Sequence, residues 1–179
     1  MPNYDCLISD RDGRSTSKEQ IGVLTKLNTR KAISTLQDPE DVWERSPVLF
    51  NQEINGVKWY FYINHLKPDD VKAEMFALDQ EVEHDVDKPI VIIGDLNADC
   101  RYYDSVKEDE LDDWWWLIKH TEDTTSGKTD CAYDRILMNV EAEKYYLGHG
   151  IHPVPQEMSD HYLIWVGIGD EAMEINKYD

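Results

Sequence analysis

Short segments of alternating or continuously apolar residues recur along the chain and predict a mainly β structure. Runs of about four to eight residues rich in Val, Ile, Tyr, Phe and Trp are typical of strands. We predict strands in six such segments: 4–9, 21–27, 46–54, 57–65, 133–139 and 161–169. A seventh, residues 89–97, is continuously apolar at its start, as expected of a strand buried on both faces. Asn55 and Gly56 predict a tight hairpin turn between the third and fourth segments.

Two other segments predict helices. Residues 68–86 carry apolar side chains at helical spacing, namely Val71, Met75, Leu78 and Val82. Asp69 or Asp70 is expected to cap this helix, with Pro68 just outside it. A second helix, dense in aromatic residues, is predicted over residues 111–118. Because strands dominate, the pattern predicts an α/β (α+β) fold in which sheets pack face to face with helices outside.

The acidic charge is large for a chain of this size. The 179 residues include 37 acidic and 18 basic ones, for a formal net charge of −19. Such a charge affects solubility and partners rather than the fold. The charge fits a well-solvated acidic surface, or acidity concentrated around a cation site. It also fits life at high salt, because at 1 M salt the Debye length is about 3 Å and the repulsion between like charges is nearly abolished. No apolar run is long enough to span a bilayer, so no membrane partner is expected.

The chain has three cysteines: Cys6, Cys100 and Cys131. Their number is odd and their spacing is no zinc motif. If two of them pair, one is left over, and the sequence alone does not choose the pair.

Polar side chains collect at the ends of the predicted strands. These are His65, Asp95, Asn97, Asp134, Asp160 and His161. Singly, such residues are ordinary in turns and caps. Together they form a plausible site for a cation and an anionic oxygen, which fits the hydrolysis of a phosphate ester. Carboxylate and amide oxygens suit Mg²⁺, and a histidine held by a carboxylate accepts a proton near neutral pH.

Three motifs together carry a family resemblance: GDLNADC (94–100), DTTSGKTDCAYDRI (123–136) and SDHY (159–162). With them the chain resembles the endonuclease/exonuclease/phosphatase superfamily, most closely its pancreatic-type deoxyribonuclease I branch. The likeness extends through residues 13–20, 44–50 and 64–75, so it spans nearly the whole chain. It implies a single domain over residues 1–179, built as a four-layer sandwich of two packed, mainly antiparallel sheets flanked by helices.

The resemblance also implies roles for two histidine–carboxylate pairs. His161 matches the histidine that activates the attacking water, and Asp134 matches the carboxylate that orients it. His65 matches the second histidine, which faces the phosphate as an acid or a phosphate ligand. Glu19 matches the acid that holds His65.

Further residues match the family's metal, phosphate and structural positions. Asp95 and Asn97 match the pair that contacts metal and phosphate, and Asp160 matches a metal-ligating aspartate, so Mg²⁺ or Mn²⁺ is the expected cofactor. Arg45 matches an arginine that contacts phosphate. Arg14 and Tyr133 are further candidates for contacts with the DNA backbone or the active site.

The resemblance implies two structural features near these motifs. Asp123, Thr125 and Thr129 resemble a structural Ca²⁺ site of that branch, although the threonines equally suit a plain loop. Cys100 and Cys131 fall where the branch has a disulfide, which implies an oxidising, extracellular or secreted location. Cys6 is then expected to be a small buried strand residue.

The chain departs from the family at its start. Members normally begin with a strand, a helix and a second strand that ends in a metal-binding Glu, and the segment 4–9 aligns with the strand that follows. No residue matches that Glu, although Asp10 or Asp12 is a candidate substitute. The missing strands should expose a sheet edge, which predicts a homodimer or a covering segment.

The implied function is a metal-dependent endonuclease that hydrolyses DNA phosphodiester bonds with little sequence preference, because the matched residues contact backbone rather than base edges. The acidic surface adds the expectation of salt tolerance and a halophilic source. Three alternatives stay open. The first is a family member that binds nucleic acid or a partner without cleaving nucleic acid. The second is another phosphoesterase of the superfamily, and the third is one fragment of a longer protein.

Overall fold

A six-stranded mixed sheet forms the centre of the protein. The computed structural model describes residues 3–16, 18–83 and 87–170. Their elements are β1 (Asp5–Ile8), β2 (Gly22–Thr25), β3 (Lys31–Thr35), β4 (Val48–Ile54), β5 (Val57–His65), α1 (Val71–Val82), β6 (Ile90–Asp95), β7 (Trp115–Trp116), β8 (Asp134–Met138), α2 (Val140–Glu143), β9 (Tyr146–His152) and β10 (Leu163–Ile168). The central sheet has the order β3-β4-β5-β6-β8-β7, and β1–β2 and β9–β10 form two separate pairs.

One parallel strand pair interrupts an otherwise antiparallel architecture. β5 and β6 are parallel, whereas every other named pair is antiparallel. A parallel pair needs a crossover connection, and α1 supplies it. The Asn55-Gly56 hairpin between β4 and β5 is present, with φ values of 51° and 79° at its two residues. These positive values explain why Asn and Gly occupy the turn.

The two faces of the central sheet bury separate cores. On one face α1 contributes Met75 and Leu78 to a cluster with Tyr62 and Ile92 of the sheet. On the other face β9 and β10 pack over a cluster of residues from β5, β6 and β8, contributing Ile151, Ile164, Val166 and Ile168. The protein is therefore the predicted sandwich of sheet on sheet with a helix outside.

The β1–β2 pair lies on the same side of the central sheet as β9–β10. Thr25 Oγ1 of β2 lies 3.0 Å from Gln52 Oε1 of β4, and both side chains are buried. Gln52 is the register partner of Trp59, whose side chain belongs to the core under β9–β10. Opposite residues share a face, so the second layer consists of two short strand pairs.

Cys6 corrects one expectation. We expected a small buried residue, but Cys6 lies in β1 and is exposed. Ile8 and Leu24 of the same strand pair are also more than half exposed. The outward face of β1–β2 is thus open to solvent over the described part of the chain, which explains why Cys6 is exposed.

The predicted helix over residues 111–118 is wrong. The chain forms turns there and then the short strand β7. Trp115 packs edge-on against Tyr146 at 4.6 Å, whereas Trp116 packs with the α1 side of the core. Adjacent residues that pack on opposite faces have the period of a strand, which explains why a helix does not form here.

Other elements differ from the sequence prediction in smaller ways. The strands β3 and β9 were not predicted, and β9 includes Gly148 and Gly150, which weaken a strand pattern. Asp70 occupies the N-cap position of α1, but its carboxylate pairs with Lys67 at 2.6 Å and makes no capping bond. Residues 84–86 of the predicted helix lie outside the described residues. Over the described ranges, no helix is long and apolar enough to cross a lipid bilayer.

Gly94 offers a direct test of how closely β5 and β6 approach. Its φ is +145°, and a Cβ at this position would lie 2.0 Å from the carbonyl oxygen of Asn64. We therefore expect Gly94→Ala to lower the free energy of unfolding by about 3 kcal/mol or more, as measured by urea denaturation. Gly22→Ala, where a Cβ meets no atom within 4 Å, is the matched control. Equal stability of the two variants would contradict this packing.

Candidate active site

The register of three neighbouring strands places three predicted site residues in a row. His65 is the register partner of Asp95 across β5 and β6, and Asp95 is the partner of Asp134 across β6 and β8. Opposite residues project from the same face of a sheet. That face is the one covered by β9 and β10, because Ile136, two residues along β8 from Asp134, packs with the β10 side chains. The row therefore lies at one end of the sandwich.

The turn after β6 fixes Asp95 and Asn97 against the end of β5. Asn97 has a φ of 49°, in the left-handed region that Asn tolerates better than most residues. Its backbone N–H donates to Asp95 Oδ1 at 3.1 Å, and its side-chain Nδ2 donates to the Leu66 carbonyl oxygen at 2.9 Å. The Leu66 N–H donates to the Asp95 carbonyl oxygen at 3.0 Å. These bonds explain why a carboxylate and a carboxamide end this buried strand.

His161 joins the row from the loop before β10. Its Nδ1 lies 2.6 Å from Asp134 Oδ2. Thr124 supports both partners, since its Oγ1 accepts from the Asp134 N–H at 3.0 Å and its carbonyl oxygen accepts from the Tyr162 N–H at 2.8 Å. The hydrogen bond to Asp134 raises the pKa of His161 to about 9 against the opposing effect of burial, and the charges of Asp134, Asp95 and Asp160 add to the rise.

A second histidine–carboxylate pair stands on the other side of Asp95. His65 Nδ1 lies 2.6 Å from Glu19 Oε2. Arg45 holds both partners, because its Nη1 contacts Glu19 Oε1 at 3.2 Å and its Nε donates to the His65 carbonyl oxygen at 3.1 Å. The pair is therefore fixed by one charged network.

Both histidines direct their Nε2 atoms at one oxygen. Asp95 Oδ2 lies 3.4 Å from His65 Nε2 and 3.8 Å from His161 Nε2. Burial raises the pKa of Asp95, and the nearby charge of Asp134 raises it further, although the two histidines and the Asn97 N–H oppose the rise. The predicted residues thus meet at one centre that holds two close carboxylates.

This centre suits a divalent cation. Ligand atoms of Asp95, Asp134 and His161 lie within 4.8 Å of one another. The hydrogen bond between Asp134 and His161 already ties those two side chains, so the Asp95 carboxylate is the better candidate ligand. A cation there would relieve the repulsion between Asp95 and Asp134 that raises the pKa of Asp95. Carboxylate oxygens are hard ligands of the kind Mg²⁺ and Mn²⁺ prefer.

Comparison of the sequence with known proteins identifies relatives of this chain. No protein-family model matches the chain. It is 33% identical to deoxyribonuclease-1-like 2 of Mus musculus over 150 residues, which cover 76% of this chain and 54% of that protein. It is 29% identical to deoxyribonuclease-1 of Canis lupus familiaris, with 92% of this chain and 70% of that protein covered.

The fold is also similar to that of solved structures. The structure of an endonuclease/exonuclease/phosphatase family protein from Leptotrichia buccalis C-1013-b matches with a TM-score of 0.66 at 16% identity, covering 94% of this chain and 73% of that one. The chain belongs to the deoxyribonuclease I-like endonuclease/exonuclease/phosphatase superfamily. It spans little more than half the length of the mouse relative.

Three residues matched to this family lie outside the row formed by His65, Asp95 and Asp134. Asp160 is exposed beside His161, and the Asp95–Asp134–His161 group, found among the described residues, does not include it. Tyr133 is half-buried, with its ring 6.5 Å from that of His161. Arg14 donates to the carbonyl oxygens of Asp41 and Val42. Their roles toward metal or DNA stay predictions.

Asp12, one candidate substitute for the metal-binding Glu of the family, holds two backbone groups with its carboxylate. The Asp12 carboxylate accepts from the Gly13 N–H at 2.8 Å and from the Ser46 N–H at 2.7 Å. Burial raises the pKa of Asp12, but the bonds from Ser46 and Gly13 lower it more, so the net shift is downward. Asp12 therefore ties the segment beside Arg45 in place. Asp10 is exposed, and a metal-binding role for Asp10 or Asp12 stays a prediction.

The predicted Ca²⁺ residues lie together but bond to one another. Asp123 Oδ1 accepts from the Thr125 N–H at 2.9 Å, from Thr125 Oγ1 at 2.8 Å and from the Cys131 N–H at 3.2 Å. The same Thr125 hydroxyl also lies within hydrogen-bond distance of the Thr129 carbonyl oxygen, so the two acceptors share its single hydrogen. These hydrogen bonds are sufficient to hold the loop in its conformation. A Ca²⁺ site there stays a prediction.

A disulfide joins Cys100 to Cys131, as the family resemblance implies. Their Cα atoms are 5.9 Å apart and 31 residues apart in sequence. In the chain-entropy account, closing a loop of this length stabilises the fold by about 3–4 kcal/mol. The bond ties the turn that carries Asn97 to the segment that leads into Asp134.

Arg135 is a positioning residue that the sequence prediction missed. It is 1% exposed, and its guanidinium donates to the carbonyl oxygens of Ala98 and Ile118 at 2.6 and 2.7 Å. Burial lowers its pKa to about 10, although the charge of Asp99 opposes the shift. Arg135 thereby links β8 to the turn after Asp95. The sequence feature that could have predicted this role is a charged residue within an otherwise apolar strand.

Glu74 is a second positioning residue that was missed. It is fully buried in α1, and its carboxylate accepts from the Glu44 N–H at 2.6 Å and the Lys67 N–H at 2.8 Å. Burial raises its pKa. Glu74 thus joins the segments that lead to Arg45 and follow His65. The sequence feature that could have predicted its burial is its position three residues after Val71, on the apolar face of the helix.

The pKa of His161 makes the stability of the cation-free protein depend on pH. Because the folded-state pKa of about 9 exceeds the ordinary value of 6.5, the Asp134 contact stabilises fully below pH 6.5 and is lost as the pH rises through 9. We expect the unfolding free energy to fall by at most about 3 kcal/mol across this window in EDTA. His161→Gln should flatten the fall, whereas His120→Gln, at an exposed position, should keep it. Identical pH profiles for all three proteins would refute this assignment.

Proposed function

We propose that the protein is a metal-dependent endonuclease that hydrolyses DNA phosphodiester bonds with low sequence specificity. One observation carries the proposal. Two histidine–carboxylate pairs face each other, with both Nε2 atoms within 4 Å of Asp95 Oδ2. A scissile phosphate bound at this centre would have a proton acceptor on one side and a proton donor on the other. The names of the relatives, deoxyribonuclease-1-like 2 and deoxyribonuclease-1, support DNA as the substrate.

The residues of this chain divide the hydrolysis between them. His161 Nε2 takes a proton from the attacking water as its oxygen bonds to phosphorus, and Asp134 holds the imidazole and balances its new charge. The P–O bond to the leaving oxygen breaks, and His65 supplies the proton that this oxygen takes up. Glu19 and Arg45 keep His65 in place. A divalent cation held by Asp95 and Asn97 would stabilise charge on the phosphoryl oxygens and lower the pKa of His161.

Low sequence specificity follows from the kinds of contact available. The centre contains Arg45, His65 and His161, which suit phosphate oxygens. Contacts to phosphate position a protein on DNA but carry no base sequence directly. Cleavage is therefore expected at many positions of a mixed-sequence duplex.

Plasmid digestion tests the proposed function. Supercoiled plasmid should be nicked in the presence of Mg²⁺ or Mn²⁺ and left intact in EDTA. Cation-dependent binding of DNA without cleavage would favour the non-enzymatic alternative. Hydrolysis of a phosphomonoester or phospholipid, with plasmid left intact, would favour another phosphoesterase of the superfamily.

The acidic charge leads us to propose a salt-tolerant enzyme, such as a halophile would use. Most proteins that bind DNA lose affinity as salt rises. Here a net charge of −19 repels both DNA and the chain itself, and about 1 M NaCl shortens the range of this repulsion to about 3 Å. We expect the unfolding free energy to rise, and nicking to persist, between low salt and 1 M NaCl. Collapse of both quantities would contradict this proposal.

We also propose an oxidising location and a homodimer. The Cys100–Cys131 disulfide supports an extracellular or secreted protein. The exposed apolar side chains of Ile8 and Leu24 on β1–β2, and of Leu163 on β10, support association through these strand pairs. Sedimentation of the protein in 1 M NaCl should show twice the monomer mass, and a strictly monomeric protein would exclude the dimer.

A further inference from the structure

A groove separate from the active site lies between α1 and the loop that connects β3 to β4. Its volume is about 950 Å³. Apolar side chains line it, including Val42, Trp43, Val71, Phe76 and Ala77. Trp43 and Val71 are nearly fully buried, whereas Phe76 is 58% exposed although it lies in the middle of a helix. A large apolar side chain exposed above an apolar floor is typical of an interaction site.

Charge around the groove is strongly one-sided. Six acidic residues line it: Asp38, Glu40, Asp69, Asp70, Glu81 and Glu110. The one basic residue of its lining, Lys72, pairs with Glu108, an acid beyond the lining. Asp70 pairs with Lys67, the Asp38 carboxylate accepts from the backbone N–H groups of Val42 and Trp43, and Glu110 is buried against Tyr103. The negative rim above the apolar floor therefore consists of Glu40, Asp69 and Glu81.

The groove and the active site are different surfaces of the molecule. None of the residues that line the groove belongs to the two histidine–carboxylate pairs or to the Asp95 turn. The buried Glu74 separates them, since its carbonyl oxygen accepts from the Trp43 indole at 3.2 Å while its carboxylate holds the backbone at Glu44 and Lys67.

We propose that this groove docks a basic, amphipathic helical segment of a partner protein. An amphipathic helix can lay apolar side chains into such a groove, and flanking Lys or Arg residues would meet the acidic rim. The rim would repel DNA, because both are negatively charged. At this groove it would also disfavour a second copy of this chain, whose net charge is −19, so the homodimer proposed above would form through other surfaces. The chemistry therefore selects a cationic partner.

Fluorescence anisotropy with two model peptides tests the proposal. The probe is a fluorescein-labelled amphipathic helix of Leu and Lys, and its counterpart replaces every Lys with Glu. We expect the Leu/Lys peptide to bind and the Leu/Glu peptide to fail. Phe76→Ser, and separately the double variant Glu40→Lys with Glu81→Lys, should each weaken binding by about tenfold. Phe76 is exposed and all three positions lie outside the active site, so plasmid nicking in 1 M NaCl, which screens the change of net charge, should be unchanged.

Matched variants separate a specific site from general attraction to an acidic protein. Leu147→Ser removes a comparably exposed apolar side chain on β9, which packs on the other face of the central sheet, and Glu157→Lys reverses an exposed acid elsewhere. Both should bind within about twofold of the wild type. Equal weakening by these controls would overturn the proposal in favour of non-specific charge attraction. Displacement of the peptide by benzamidine, with the same sensitivity to Phe76→Ser, would overturn it in favour of a small-molecule site.

Discussion

His161→Ala should lower the rate of plasmid nicking by about a thousandfold or more while leaving the fold intact. The imidazole Nε2 points at the centre of the site, and its Nδ1 is held at 2.6 Å by Asp134. General base catalysis contributes about 10²–10⁴ to a rate, and no other imidazole occupies this side of Asp95 in the described chain. The rate constant is best measured with saturating Mn²⁺, so that a change in ion affinity does not enter.

Two further variants give this test its control and its contrary outcome. His120→Ala, at an exposed position outside the site, should nick plasmid at the wild-type rate. Asp134→Asn keeps the size of the side chain but removes the charge that orients and stabilises the imidazolium, so it should lose nearly as much as His161→Ala. Wild-type nicking by the His161→Ala protein would remove the proposed base.

Asp95→Asn should abolish activity and yet stabilise the cation-free protein. Its carboxylate is the oxygen on which both histidines converge, and we propose it as a cation ligand, so nicking should fall by at least about a hundredfold. Burial and the charge of Asp134 raise the pKa of Asp95, which means that its charged form is disfavoured in the folded state. The neutral amide should therefore raise the unfolding free energy by about 1 kcal/mol in EDTA.

Added cation should reverse this order of stability. A ligand that binds only the folded state stabilises by about 2.7 kcal/mol at a hundred times its dissociation constant. Mn²⁺ should therefore raise the melting temperature of the wild type but not that of Asp95→Asn. Asp112→Asn removes an exposed acid away from the site and should respond to Mn²⁺ like the wild type. An Asp95→Asn protein that Mn²⁺ stabilises as much as the wild type would contradict the assigned ligand.

The sequence predicts the site better than it predicts the layers around it. His65, Asp95 and Asp134 were found because each ends or begins a strand with a strong apolar pattern, and strand register then fixes their proximity. His161 was found at the start of the last predicted strand, and its match to the family motif added the role of base. A local signal was sufficient in each of these cases.

The missed features depend on contacts between distant segments. Trp115 and Trp116 form a strand because each packs on a different face of a sheet built from residues elsewhere in the chain. Cys6 is exposed because nothing in the described chain covers the outer face of β1–β2. Arg135 and Glu74 are buried charges whose partners are backbone groups far away in sequence. Local periodicity carries no information about such partners.

Crystals of the protein grown with Mn²⁺ and a short phosphorothioate DNA strand would test the central claim most directly. The anomalous signal should place one Mn²⁺ at the Asp95 carboxylate, and the resistant phosphate should lie between the Nε2 atoms of His65 and His161. A metal ion or phosphate bound at another surface, with the two histidines left empty, would contradict the proposed active site.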